Sequence, residues 1–118
     1  MESLYGHPVV GASWEGYVIE QIIREAPEFC EFFFYRTQNG AEVDLLMITP
    51  KGRKVCIEIK FSVSPTISRG FYTALEDLRP DYRYVITPGG EYLQRADGLQ
   101  ICSLEYFLGN VLPGMEEA

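Results

Sequence analysis

The sequence predicts a mixed α/β domain in which helices flank a mixed sheet, and three observations carry that prediction. Apolar residues recur at helical spacing in two segments, around residues 14–23 and 67–78. Short aromatic or alternating runs of strand length lie between and after them. Turn signals at Gln38-Asn39-Gly40, Pro50-Lys51-Gly52 and Pro88-Gly89-Gly90 separate those runs.

Residues 1–12, with Gly6, Pro8 and Gly11, read as irregular. Ser13 reads as the N-cap of a first helix, in which Trp14, Val18, Ile22 and Ile23 form the apolar stripe. Pro27 should end it. Glu31–Thr37 reads as a first strand. In a second, Glu42–Thr49, strict alternation puts Val43, Leu45 and Met47 on one face and Asp44, Leu46 and Ile48 on the other. In a third, Lys54–Phe61, Val55, Ile57 and Ile59 share one face, and Cys56, Glu58 and Lys60 the opposite one. Ser64-Pro65 reads as the start of a second helix, with Ile67, Phe71, Ala74, Leu75 and Leu78 as its stripe and Arg79-Pro80 as its close. Tyr82–Thr87 is a fourth strand, Glu91–Arg95 a weak one and Leu99–Cys102 a short last one. Ser103 caps a final helix over 104–108, and residues 109–118 read as a polar tail. Tight turns make the first three strands antiparallel neighbours, and the helical crossover favours a parallel fourth.

The 118 residues suit one domain spanning 1–118. The net charge of −7 counts against tight autonomous DNA binding, because affinity for DNA comes largely from neutralised phosphates. It does not count against a cation-dependent enzyme. Cys30, Cys56 and Cys102 show no CxxC spacing and read as reduced core residues, not as a zinc site. No signal-peptide pattern and no apolar run near the ~20 residues of a membrane span is evident, so the expected location is the cytoplasm.

The chemistry concentrates in four residues. Asp44 sits mid-strand, and Glu58 and Lys60 sit two residues apart on the next strand. Charges are costly on a sheet face that helices cover, unless they serve a site. Two carboxylates there would make a hard oxygen seat for Mg²⁺ or Mn²⁺, with the Ile59 carbonyl as a third donor. A lysine beside them could orient a water or stabilise developing charge in phosphodiester hydrolysis. Glu15, on the first helix, could reach the same point. The triplet equally fits a structural ion pair in which Lys60 neutralises Glu58 and Asp44.

The run Gly11-Ala12-Ser13-Trp14-Glu15-Gly16-Tyr17-Val18-Ile19-Glu20, the run Tyr35-Arg36-Thr37-Gln38-Asn39-Gly40-Ala41-Glu42-Val43-Asp44-Leu45-Leu46 and Ile57-Glu58-Ile59-Lys60 resemble one family. It is the C-terminal domain of unknown function that follows the ATPase module in many bacterial and archaeal AAA-type ATPases, a domain similar to the PD-(D/E)XK nuclease superfamily. The resemblance runs from about His7 to Leu108. It implies a restriction-endonuclease-like α-β-β-β-α-β core. It also implies a catalytic set of Glu15 as accessory acid, Asp44 and Glu58 as metal ligands and Lys60 as catalytic lysine. No Gly-x-x-x-x-Gly-Lys-Ser/Thr sequence occurs, so no ATP site is expected in this chain.

The expected function is therefore metal-dependent hydrolysis of DNA by a nuclease or nuclease-derived domain. The expected partners are DNA, an ATPase module in cis or in trans, and a second copy in a homodimer. The alternative is a catalytically inactive interaction or regulatory domain of an ATPase system. Other residues have plainer readings. Trp14 reads as a core or interface anchor, Tyr82 and Tyr84 as sheet packing, and the lone His7 as a loop residue without a ligand role. Arg69, Arg79 and Arg83 make a thin phosphate footprint; Ser62 and Ser64 follow the Glu-x-Lys strand and could line the site edge, although capping explains Ser64 adequately.

Overall fold

A computed structural model describes residues 7–62 and 64–118, with side chains from Ser13 onward. The elements run α1 (His7–Glu25), β1 (Glu31–Arg36), β2 (Glu42–Ile48), β3 (Lys54–Ile59), α2 (Arg69–Leu78), β4 (Tyr82–Thr87), β5 (Leu93–Gln94), β6 (Leu99–Ser103) and a short α3 (Leu104–Tyr106). The strands form one mixed sheet in the order β1-β2-β3-β4-β6-β5. β1, β2 and β3 pair antiparallel through the two expected hairpins, in which Gly40 and Gly52 take positive φ values of 96° and 86°. β3, β4 and β6 are parallel neighbours, the β3–β4 pair being the one that the α2 crossover favours.

Each sheet face carries its own core. On one face α1 sets Val18 and Ile22 against Leu45, Met47, Val55, Ile57, Ile59 and Ile86. On the other, α2 sets Phe71, Ala74 and Leu75 against Val43, Leu46, Cys56 and Val85. Of the expected stripe, Phe71, Ala74, Leu75 and Leu78 lie on α2, whereas Ile67 precedes it and packs on the same cluster. Burying residues on both faces produces the near-continuous apolar reading of β3 and β4.

Four sequence expectations need correction. Residues 7–12 are helical, so α1 begins well before Ser13, which is an interior helix position; residues 1–6 lie outside the described ones. α2 starts at Arg69 with Ser68 as its N-cap, not at Pro65 with Ser64. Residues 109–118 are no polar tail. A π-helical turn, Phe107–Val111, and a 3₁₀ turn, Leu112–Glu116, continue α3, and Leu112 and Met115 are buried beside Phe107. Pro113 and Gly114 read as chain breakers but fit the tighter turn. The fourth correction concerns Val43, which does not share a face with Leu45. Phe33 pairs with Leu46 and Tyr35 with Val43, so Asp44 and Leu45 together oppose Phe34. This β-bulge shifts the two-residue alternation, sending Val43 to the α2 face and Leu45 to the α1 face.

Several plainer readings agree with the structure. Trp14 is half-buried against Phe61, ring centres 5.5 Å apart. Tyr84 packs edge-on to Phe107 at 5.2 Å. The three cysteines are free, and burial pushes the Cys56 and Cys102 thiols up to about 11 and about 12. Those two thiols stay protonated and inert. The side chain of His7 lies outside the described ones.

Candidate functional site

The bulge brings Asp44 to the start of β2 beside the end of β3. Regular pairing between these strands runs only from Leu45–Ile57 to Ile48–Lys54. Beyond it, the Asp44 carboxylate replaces a backbone acceptor: the Ile59 N–H donates to Asp44 Oδ2 at 2.8 Å. The carboxylate thereby closes the frayed end of the β2–β3 ladder.

Glu58 is 4% exposed and is held from the α2 side. The Ser68 N–H donates to its Oε2 at 3.2 Å, and the Ser68 hydroxyl donates to its Oε1 at 2.9 Å. Ser68 is at the same time the N-cap of α2, its Oγ accepting from the Phe71 N–H at 3.1 Å. A buried carboxylate at a helix N-terminus also meets the positive end of the helix dipole. Lys60 Nζ lies 3.4 Å from Glu58 Oε2 and keeps about a third of its side chain in solvent. The Lys60 N–H donates to the Ile86 carbonyl at 2.9 Å, which anchors the end of β3 to β4.

Glu15, on α1, faces Asp44 across a cavity of about 370 Å³ whose other walls are Phe34, Tyr35, Arg36 and Val43. Burial pushes the Glu15 carboxyl above its usual range, and the charges of Asp44 and Glu42 push it further. The two carboxyls, lining the same cavity, each make it harder for the other to carry charge. Asp44 is raised, chiefly by burial, while the Ile59 N–H pulls it down. Glu58 is raised by burial, opposed by the two Ser68 bonds and by Lys60. Three carboxylates above their ordinary values with one ammonium among them form a site crowded with negative charge.

All four predicted catalytic residues therefore meet at one end of the sheet. Asp44 and Glu58 are held by different partners, however. Among the described residues no set of three or more His, Cys, Asp or Glu side chains is arranged to hold a metal ion. Every buried side-chain nitrogen and oxygen among them has a hydrogen-bond partner. The Ile59 backbone takes part through its N–H. Ser62 and Ser64 hydrogen-bond each other in the following turn, and Arg83 reaches only the Pro80 carbonyl.

Three residues of the site escaped the sequence reading. Ser68 was masked by the stronger helix-start signal of Ser64-Pro65, although the Phe71 stripe begins three residues after Ser68. Gly70 carries no motif, yet a Cβ there would stand 2.5 Å from the Gly40 carbonyl oxygen. Phe34 was read only as strand, and it is 75% exposed.

Fold and site define a mixed α/β domain with an acidic cluster and one lysine at one end of its sheet. Residues 10–107 match the family described as a domain of unknown function, DUF4143, and the chain belongs to it. It is also 40% identical over 88 residues to two curated proteins, the uncharacterized protein Mb2031c of Mycobacterium bovis and the uncharacterized protein Rv2008c of Mycobacterium tuberculosis. The match covers 74% of this chain and 19% of each relative, so it spans about a fifth of their length. No solved structure matches. Among the described residues no helix is long and apolar enough to cross a membrane.

Proposed function

We propose that this domain is a PD-(D/E)XK nuclease-like module with a restriction-endonuclease-like core, whose site takes Mg²⁺ or Mn²⁺ and hydrolyses phosphodiester bonds of DNA. One observation supports the reading: of four residues spread over 46 positions of the chain, Glu15 and Asp44 line one cavity, Asp44 is bonded to the Ile59 N–H beside Glu58, and Lys60 lies 3.4 Å from Glu58.

The donor chemistry fits a hard cation, although only two carboxylates are placed to serve it. Asp44 and Glu58 would hold the ion with the Ile59 carbonyl, and water would complete the set, as Mg²⁺ usually retains water. When bound, the ion supplies charge neutralisation for the phosphate and a water of lowered pKa. The protein's own groups do the rest. The Ile59 N–H fixes the Asp44 carboxylate, leaving Oδ1 free of that bond. Ser68 orients Glu58. The Lys60 ammonium, partly in solvent, is positioned to donate to a phosphate oxygen or a water. Glu15, lining the same cavity as Asp44, is placed to exchange a proton with a water or a leaving oxygen there.

The remaining expectations continue as part of this proposal. The length that the relatives have beyond the match leaves room for an ATPase module in cis, and an ATPase in trans or a second copy are the other partners. Cytoplasmic DNA is the substrate. The test is Mn²⁺ titration by calorimetry together with cleavage of single-stranded, duplex and branched DNA, wild type against Asp44→Ala and Lys60→Ala. Metal uptake lost in Asp44→Ala and cutting lost in both supports the reading. No cation binding and no cutting by the wild type overturns it.

A second reading has its own observation. Ser68 occupies both oxygens of Glu58, so cation binding must compete with two hydrogen bonds that already satisfy the group. An inactive interaction or regulatory domain of an ATPase system would keep the carboxylate for the α2 cap alone. In that case Lys60→Ala lowers stability and the wild type takes up no Mn²⁺.

A further inference from the structure

The cavity beside Asp44 has one wall that the proposed hydrolysis does not use. Phe34 lies on the edge strand directly opposite the bulged pair Asp44–Leu45, and its ring is exposed rather than packed in either core. The bulge holds that ring next to the carboxylate end of the site. Arg36, two residues further along the same strand face, lines the same cavity, and its ion pair with Glu42 at 2.8 Å is itself largely exposed. The exposed Arg36–Glu42 pair is easily exchanged for a phosphate. The cavity thus offers an aromatic face, a replaceable guanidinium and an acidic floor.

From this geometry we infer that the Phe34–Asp44 cavity takes an unpaired nucleobase, so that the substrate at the site is single-stranded nucleic acid and not an intact duplex. The inference rests on the phosphodiesterase reading above and narrows its substrate. Two arguments support it. First, a space of about 370 Å³ suits one base with part of its sugar, whereas a duplex presents a broad groove and two phosphate lines. Second, the cavity sets Glu15 and Asp44 against Arg36, whose guanidinium is already paired with Glu42. Phosphate neutralisation alone is therefore weak there. Stacking on an aromatic ring works for any base and does not depend on net positive charge.

The experiment measures anisotropy of fluorescein-labelled dT12 and of a labelled 12-base-pair duplex on the full chain, with Ca²⁺ present to limit cutting, and Mn²⁺ uptake by calorimetry in parallel. Wild type should bind dT12 at least tenfold more tightly than the duplex. Phe34→Ala should lose about tenfold in dT12 affinity, and Phe34→Trp should retain it, both with unchanged Mn²⁺ uptake and unchanged melting. Equal dT12 affinity in wild type and Phe34→Ala, or equal affinity of wild type for dT12 and duplex, overturns the inference. Mn²⁺ uptake identical in wild type and Asp44→Ala overturns the hydrolytic reading instead, and Phe34-dependent binding of dT12 then stands as a binding function alone.

Discussion

Two aspartates at opposite ends of β3 make the same hydrogen bond in different surroundings. At one end Asp81 Oδ2 accepts from the Lys54 N–H at 2.9 Å; at the other Asp44 Oδ2 accepts from the Ile59 N–H at 2.8 Å. Asp81 is exposed and has Arg53 at 3.8 Å, and Lys54 Nζ donates nearby to the Leu78 carbonyl at 2.7 Å. Asp44 is half-buried, with Glu15 and Glu42 as its carboxylate neighbours. One bond geometry thus serves as a surface clip at one end and sits inside a strained acidic cluster at the other. The hydrogen bond does not separate the two ends. What separates them is how many like charges share the desolvated space.

The largest effect should come from the scaffold that creates this difference. Gly70→Ala would drive a Cβ into the Gly40 carbonyl and push the start of α2 off the β1–β2 turn. We expect a loss of about 2–3 kcal/mol by denaturant unfolding, since a backbone atom must shift. A loss under a few tenths would show that α2 is not fixed at the site end. Ser68→Ala comes next. It removes the α2 cap and one of the two Ser68 bonds to Glu58. A cost of about 1–2 kcal/mol is expected, with the Glu58 carboxyl moving further up, readable by NMR titration.

The pH dependence sharpens the comparison further. Glu15, Asp44 and Glu58 all have folded values above their ordinary 4.5, 3.8 and 4.5. For a raised carboxyl, the folded state binds more protons than the unfolded one between the two values. The associated stability is fully present below the ordinary value and is lost as pH rises through the folded value. Between pH 7 and about pH 5, in EDTA, melting should therefore rise as pH falls. The Glu15→Gln, Asp44→Asn double variant should flatten that slope, and a wild-type slope of the opposite sign would contradict the crowded-site account.

The smallest effects test the aspartates themselves. Asp44→Asn keeps an acceptor for Ile59 and removes a repelling charge. Metal-free stability should stay within about 1 kcal/mol of wild type, or rise slightly, while Mn²⁺ uptake falls. Asp81→Asn should change stability by about 0.5 kcal/mol or less, with no effect on Mn²⁺. A large destabilisation of the metal-free protein by Asp44→Asn would mean that its charge is structural after all.

Much of this molecule was written locally. The hydrophobic periods place both α-helices and the strand runs, the Gly turns set the hairpins, and alternation along β3 puts Glu58 and Lys60 opposite Ile57 and Ile59, because a two-residue period needs no partner to be read. Other features had no local signal. The bulge that sends Val43 and Leu45 to different faces arises from cross-strand register with β1. Ser68, not Ser64, caps α2 because the helix packs its start against the Gly40 turn. Leu112 and Met115 are buried only because the sheet offers them a face beside Phe107. The sequence by itself determined which charges the chain carries and the order of its elements. The tertiary structure alone decided which charges meet, since their proximity comes from register and packing between segments far apart in the chain.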